Sequence, residues 1–481
     1  MNLLGCDEDV VRLILGCLAQ VDLRSVCLAH PSLRLLAEPL LYSAVELAYY
    51  KSKPHLITLL VRSILRRPEL AAYIRTLSLQ GGDPSHQNWR EKVPRKPVNE
   101  ADLHEAVSLV AGTRLPYRDR WIVELRQGTL DAYIALLLLR LPRLQLLHLG
   151  PVFFMESELI GLVLRSILHS PRSDWVEVDV ITCLRELRTV SLIRGGTYYR
   201  VRTNRNTEST LPFFYLPSLK EMVVLIDNPL APALPWPALP WPAAQPPLAT
   251  SLVSLSIGGT MRESHLGQLL AATPCLCFLR WTWCFIPDYE DQYNNPVIDL
   301  DQLMPALAHV KETLTELAIA GVPLLANFGP MPPALRVQGS TRALAGFDRL
   351  TKLLMPLVFF TGFSLPAREQ LGECLPRNLE ELTLTDDMYI DVDVNEMWDE
   401  AGHTDTIVAW LEDVESSTPR LRKLCLVLQA CDNEISFEDL DVRIEIRKLA
   451  RRAGIDVTTL HGHAMGGTIG PMEVDDMWAE I

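Results

Sequence analysis

Few residues in this 481-residue chain stand at spacings that could do chemistry. His104 and Glu105 open the His-Glu-x-x-His pattern of a zinc helix, but Ala-Val-Ser follows and no second histidine completes the pair. Gly362-Phe-Ser364-Leu-Pro lacks the second glycine of a nucleophile elbow. Neither a P-loop nor a Gly-x-Gly-x-x-Gly occurs. Cys275-x-Cys277 and His461-x-His463 have no partner pairs at metal-ligand spacing. Cys27 and His30, three apart, read as a core thiol beside a helix-ending imidazole. The expectation is no catalytic residue, no metal and no cofactor, hence no enzyme.

Charge and composition narrow the partners. The chain is 48% hydrophobic and 22% charged, too apolar and too lightly charged for a disordered protein. Its formal net charge of −14 argues against nucleic acid or an anionic membrane, since binding phosphate needs a basic surface. The stretch Arg194–Arg205 interleaves arginine and tyrosine as a single-strand contact would, but on an acidic chain it reads as a long loop. Seven acids and no base fall within 386–400, and four more acids within 473–480. These two pieces supply most of the net charge and echo each other as Val394-Asn-Glu-Met-Trp-Asp-Glu400 and Val474-Asp-Asp-Met-Trp-Ala-Glu480. Both read as solvated acidic surface or tail, or as docking peptides. The acidic N-terminus predicts no signal peptide, and the longest apolar run, Tyr133–Leu139, stops at Arg140, far short of a membrane span. The ten cysteines follow no disulfide framework. The expected location is cytoplasm or nucleus.

The elements that position these side chains come from an internal repeat. The phrase Leu-x-x-Leu-x-Leu, with aliphatic variants, recurs at 74–79, 144–149, 187–192, 219–224, 252–257, 276–281, 314–319, 350–355, 379–384 and 421–426. Several copies follow a proline that pre-sets a turn. Each phrase predicts a short strand with positions 1, 4 and 6 facing the core. Helical spacing fits 56–66, 103–111, 130–140, 156–169, 264–272, 301–313, 367–375 and 404–415. Between two strands lies a Pro-rich insert, 229–247, holding eight prolines and the doubled Leu-Pro-Trp-Pro-Ala, read as an exposed loop whose tryptophans fold back.

Such phrases resemble the leucine-rich repeat family in an irregular form. The resemblance implies an α/β fold, a solenoid (horseshoe) of strand–helix units over 74–463, ending in a flexible tail, 464–481. It also implies a concave, client-binding face carrying His148, Glu221, Phe278, Arg280, Glu316, Lys352, Glu381 and Lys423.

Residues 9–47 do not fit the repeat. They predict short helices, with an apolar stripe at Val10, Leu13, Ile14 and Leu18, Asp22 as the N-cap of a second helix and Pro31 closing it. Ile14-Leu15, Leu18, Asp22-Leu23, Val26-Cys27 and Ala37-Glu-Pro-Leu-Leu-Tyr42 resemble an F-box at the head of fungal-type leucine-rich-repeat proteins. Cys6 and Asp7 stand where that family has leucine and proline. The resemblance implies an F-box-like domain at 3–47, joined by a helical connector, 48–73, with Val10, Leu13, Ile14, Leu18, Leu23, Val26 and Cys27 as adaptor contacts. The implied role is substrate recognition in a cullin-based (SCF-type) ubiquitin ligase through a Skp-type adaptor. The alternative is a repeat scaffold that no longer binds that adaptor.

Overall fold

The computed structural model describes residues 6–49, 56–81, 100–154, 157–169, 183–192, 207–229, 238–285, 295–323, 335–363, 370–386, 388, 403–430 and 440–463. The arginine–tyrosine stretch, the first Leu-Pro-Trp-Pro, most of the acidic piece 386–400 and the whole tail 464–481, with its acidic piece 473–480, lie outside these residues.

All ten phrases fold as strands, and the described residues hold four further strands. In chain order they are β1 (Ala44–Tyr49), β2 (Thr76–Gly81), β3 (Leu146–Leu149), β4 (Thr189–Ser191), β5 (Glu221–Leu225), β6 (Ser254–Gly258), β7 (Phe278–Phe285), β8 (Val297–Asp299), β9 (Glu316–Pro323), β10 (Arg336–Gln338), β11 (Lys352–Pro356), β12 (Glu381–Thr385), β13 (Lys423–Ala430) and β14 (Asp456–His463). Contacts divide the chain into two compact units. The first is Met1–Gly196 with Glu208–Glu221 and Trp241–Gln245; the second is Thr197–Thr207 with Met222–Pro240 and Pro246–Ile481.

In the first unit, β1 to β4 pair in parallel in chain order. The sheet therefore begins at Ala44, inside the stretch assigned from sequence to the helical head and well ahead of residue 74. Val45-Glu-Leu47 carries the alternation of a strand, but only its pairing with Leu77-Ser-Leu79 reveals it. Before β1 stand three helices, α1 (Glu8–Gly16), α2 (Gln20–Ala29) and α3 (Pro31–Leu41). Behind the sheet run α4 (Leu56–Arg66), α5 (Glu100–Ala111), α6 (Arg118–Gln127) and α7 (Leu130–Arg140). Eight consecutive residues of α7, Ala132 to Leu139, are buried, so the longest apolar run of the chain is a core helix. Trp121 donates its indole N–H to the Ala132 carbonyl (3.0 Å), and the Tyr133 hydroxyl donates to Leu125 (3.0 Å). The Asp131 carboxylate accepts the backbone N–H groups of Glu158, Leu159 and Ile160 and thereby caps the helix Leu159–His169 from its neighbour. In the Pro-rich insert, Trp241 sets its ring edge-on to Phe214 and Tyr215.

In the second unit the strand order is β5-β6-β7-β9-β11-β12-β13-β14, while β8 and β10 pair separately. From β6 onward the pairs are parallel. The residue leading each of β7, β9, β11, β12 and β13 donates its N–H to the carbonyl at the same place in the preceding repeat: Cys277 to Val253, Thr315 to Cys277, Thr351 to Thr315, Glu380 to Thr351 and Arg422 to Glu380; in β14 the first strand residue, Asp456, donates to Arg422. Phrase positions 1, 4 and 6 point into the core, as Leu379, Leu382 and Leu384 illustrate. No helix among the described residues is long and apolar enough to cross a membrane.

The three-helix head is fastened to the first repeat. Glu38 of α3 accepts both terminal nitrogens of Arg67 (2.7 Å each) and one of Arg34 (3.2 Å), and Arg67 also donates to Glu69 (2.8 Å). These bonds hold the Glu38 carboxyl below its ordinary range. A group with a lowered native pKa contributes stability above its unfolded pKa, here about 4.5, and loses it as pH falls through the native value. A double-mutant cycle of Glu38→Gln and Arg67→Met, read by denaturant unfolding, is expected to give a coupling of about 1–3 kcal/mol at pH 7. That coupling fades toward pH 3; an unchanged value at pH 3 contradicts the assignment.

Candidate interaction surfaces

The head divides its apolar residues between a small core and an exposed face. Val11, Leu15, Leu23 and Ala37 are buried, with Cys6, Leu18, Val26, Cys27, Leu33, Leu36, Leu40 and Leu41 packed around them. Val10, Leu13 and Ile14 share one face of α1 and stay exposed, Leu13 at 73%. Two turns apart on α2 stand Val21 (75%) and Leu28 (81%), and α3 adds Leu35 (76%). Thus the seven residues singled out by sequence split. Leu18, Leu23, Val26 and Cys27 hold the head together, while Val10, Leu13 and Ile14 are free to meet a partner. Val21, Leu28 and Leu35 were missed because an isolated leucine on a polar helix face carries no periodic signal.

Local capping explains the head's unusual start. Asp7 is the N-cap of α1, its carboxylate accepting the Asp9 N–H (2.9 Å). Asp22, expected as a cap, sits inside the first turn of α2, whose N-cap is Ala19; an acid there is favoured by the helix dipole instead. His30 caps α3, Nδ1 accepting the Ser32 N–H (3.1 Å) ahead of Pro31 at the first helical position.

On the sheets, alternate residues of each phrase form two rows. The first row of the second unit is in strict register: Phe278, Glu316, Lys352, Glu381, Lys423 and Asp456 are cross-strand neighbours in that order. At about 4.8 Å per strand it spans roughly 24 Å. Its charges alternate in sign, with Lys352 3.7 Å from Glu316 and Lys423 3.4 Å from Glu381, all partly exposed. Glu221 in the first unit is likewise exposed and accepts from the Thr189 hydroxyl (3.3 Å).

The second row is mostly closed. Ser78, Ser191, Ser256, Thr383 and Cys425 are buried, and so is Arg280, expected from sequence to meet a client. That expectation is corrected: Arg280 is 3% exposed and lies over the Phe278 ring at 6.0 Å. His148, in register with Ser78 and Ser191, is half-buried. Alternation assigns a side chain to a face, yet small side chains between longer neighbours are recessed even there.

One constellation that no motif announced lies beside β7. Arg262 and Glu263 form an ion pair (3.1 Å) with 3% and 4% of their side chains exposed. Arg262 lies over the Trp283 ring (4.9 Å) and donates to the Asn295 carbonyl (3.3 Å) and the Val297 carbonyl. Glu263 accepts the Trp283 indole N–H (3.1 Å) and the Asp299 N–H (3.4 Å), and burial pushes its carboxyl up. Asn228 accepts the Arg262 N–H (3.0 Å), donates to the Thr260 carbonyl (2.7 Å) and meets His265 Nδ1 (3.1 Å). The Asp227 carboxylate binds the Thr260 N–H and hydroxyl. Gly259, at φ +99°, permits this fold, since a Cβ there would stand 2.6 Å from the Ile226 carbonyl oxygen. The acid, base and imidazole of an active site are present, but sealed and spent on joining loops 226–228, 259–263 and 295–299. Among the described residues no group of three or more histidines, cysteines and acids is placed to hold a metal. Replacing Arg262 by Met strands the buried Glu263 charge and is expected to cost about 3–5 kcal/mol in denaturant unfolding. With Glu263→Gln added, a large part returns; a cost under about 1 kcal/mol for Arg262→Met alone refutes the structural role.

Two parallel runs of strands, a row of half-exposed charges and an exposed apolar head therefore constitute the surfaces available for recognition. No curated protein matches the chain. A family model described as a leucine-rich repeat domain matches residues 47–225, from within β1 to the end of β5, and identifies that stretch as a leucine-rich repeat domain.

Proposed function

We propose that this chain is a non-catalytic adaptor whose head docks a Skp-type subunit of a cullin-based ubiquitin ligase and whose repeat strands select a client protein. The observation that carries the reading is the exposed apolar face of the head. Val10, Leu13, Ile14, Val21, Leu28 and Leu35 leave six large apolar side chains exposed on a head with only four fully buried ones, and exposed apolar surface of that kind is what an interaction site offers. The match of 9–47 to the F-box pattern supports the identity of the partner. The leucine-rich repeat domain supports protein binding by the remainder. Cytoplasm or nucleus, where such ligases assemble, is the corresponding location.

Cys6 and Asp7 keep a second reading in view, a scaffold that binds clients without ligase coupling. Their structural work, packing and helix capping, gives α1 its start without the usual Leu-Pro opening. Because Leu13 and Leu35 are exposed, Leu13→Glu with Leu35→Glu leaves the fold intact. In pull-downs of the full chain with the Skp-type subunit, the pair is expected to reduce binding at least tenfold. Absence of binding by the wild-type chain overturns the ligase reading and leaves the scaffold.

The alternating row is the expected client contact. Lys352→Glu with Lys423→Glu turns the middle of the row uniformly acidic at two partly exposed positions. Proximity labelling in cells should then lose the wild-type client set while retaining the Skp-type subunit. An unchanged client set places client binding elsewhere.

A further inference from the structure

The helix Leu440–Arg452 carries a basic face in an acidic chain. Arg447, Lys448, Arg451 and Arg452 are all exposed, and among the described residues none of them has an ion-pair or side-chain hydrogen-bond partner. The opposite face buries Ile446 and Ala450, and the helix packs against the helix His403–Glu412 and against β14. Glu445 is the described acid on the same helix; Asp405 and Glu412 stand exposed on the neighbouring one. Beside the cations Ile444 is 54% exposed, one turn before Lys448. Four cations without a described partner and one apolar side chain form a surface complementary to a short acidic segment bearing apolar residues.

We propose that this face is occupied by the chain's own segment 473–480, with Glu473, Asp475, Asp476 and Glu480 against the cations and Met477 and Trp478 against Ile444. Composition supports the pairing, since 473–480 holds four acids, no base and an adjacent Met-Trp pair. Chain geometry permits it. A three-residue turn with Gly454 at φ +73° joins the helix to β14, so the strand runs back along the helix. The helix is about 20 Å long and the strand about 26 Å, which brings His463 level with the helix start. Ten further residues reach up to about 33 Å, enough to return Glu473 to the last two helical turns. A tether this short supplies an effective concentration near millimolar, so weak contacts suffice. A nucleic acid or anionic membrane would meet the repulsion of the whole −14 chain over a much larger area.

The test uses the full chain labelled with 5-fluorotryptophan and read by fluorine NMR. Trp478→Phe assigns the tail signal among the ten tryptophans, and Trp398→Phe assigns the internal echo, 394–400. The Trp478 line is expected to be several-fold broader in the wild type than in Arg447→Glu/Arg451→Glu. Asp475→Lys/Asp476→Lys should narrow it as well, and combining the two pairs should restore the breadth. Unchanged signals from buried Trp121, Trp281 and Trp283 confirm that the variants fold. A narrow Trp478 line in the wild type overturns the proposal, as does a broad line insensitive to the reversals. A response confined to Trp398 assigns the face to the internal echo and overturns it too.

Discussion

A strand–helix unit cannot cover its own apolar side, and this constraint shapes both units of the chain. Leu379, Leu382 and Leu384 are buried because helices lie behind them and sister strands lie beside them. The backbone enforces the same dependence, each strand-leading N–H finding its acceptor only in the previous repeat. Register is thus inherited from strand to strand, which keeps Glu316, Lys352, Glu381, Lys423 and Asp456 in one row despite linkers of very different length. Repeat length is free to vary because register is carried by the strands and their leading bonds.

The same constraint explains what could be read in advance. The ten phrases were legible because position 1, 4 and 6 leucines are demanded by burial, whatever the neighbouring loops do. The helix at 130–140 was legible for the same reason. By contrast, β1 and β14 lack the full phrase, and only pairing with β2 and β13 makes them strands. The amphipathic helices at 118–127 and 440–452 carry many charges and few apolar anchors, so their periodicity was faint. The polar cluster around Arg262 and Glu263 was invisible, because it assembles four separated stretches whose residues match no motif. In the head, Val10, Leu13 and Ile14 of the stripe read as adaptor contacts are exposed, whereas Leu18 packs inward with Val11 and Leu15. With apolar residues on nearly every side of α1, spacing alone fits either face.

Polar groups play opposite parts in the two places where they cluster. Around Arg262 they are buried and bonded to one another, because leaving any one member buried alone costs far more than the net gain of a hydrogen bond. Along the first row they are half solvated, paired at 3.4 and 3.7 Å, and individually worth little to stability. Charges that contribute little to folding can change without loss of the fold, which is the freedom a recognition surface requires.

That freedom bears on how an acidic chain recognises anything selectively. The row is nearly balanced in charge, so its field decays quickly and discriminates by pattern at contact instead of by attraction at a distance. The excess negative charge sits in two short pieces of sequence outside the phrases. A contact made through the exposed leucines of the head would gain by dehydration, which is insensitive to salt. Salt dependence would therefore separate the proposed contacts physically: those of the row and of the basic helix would weaken as ionic strength rises, while those of the head would persist.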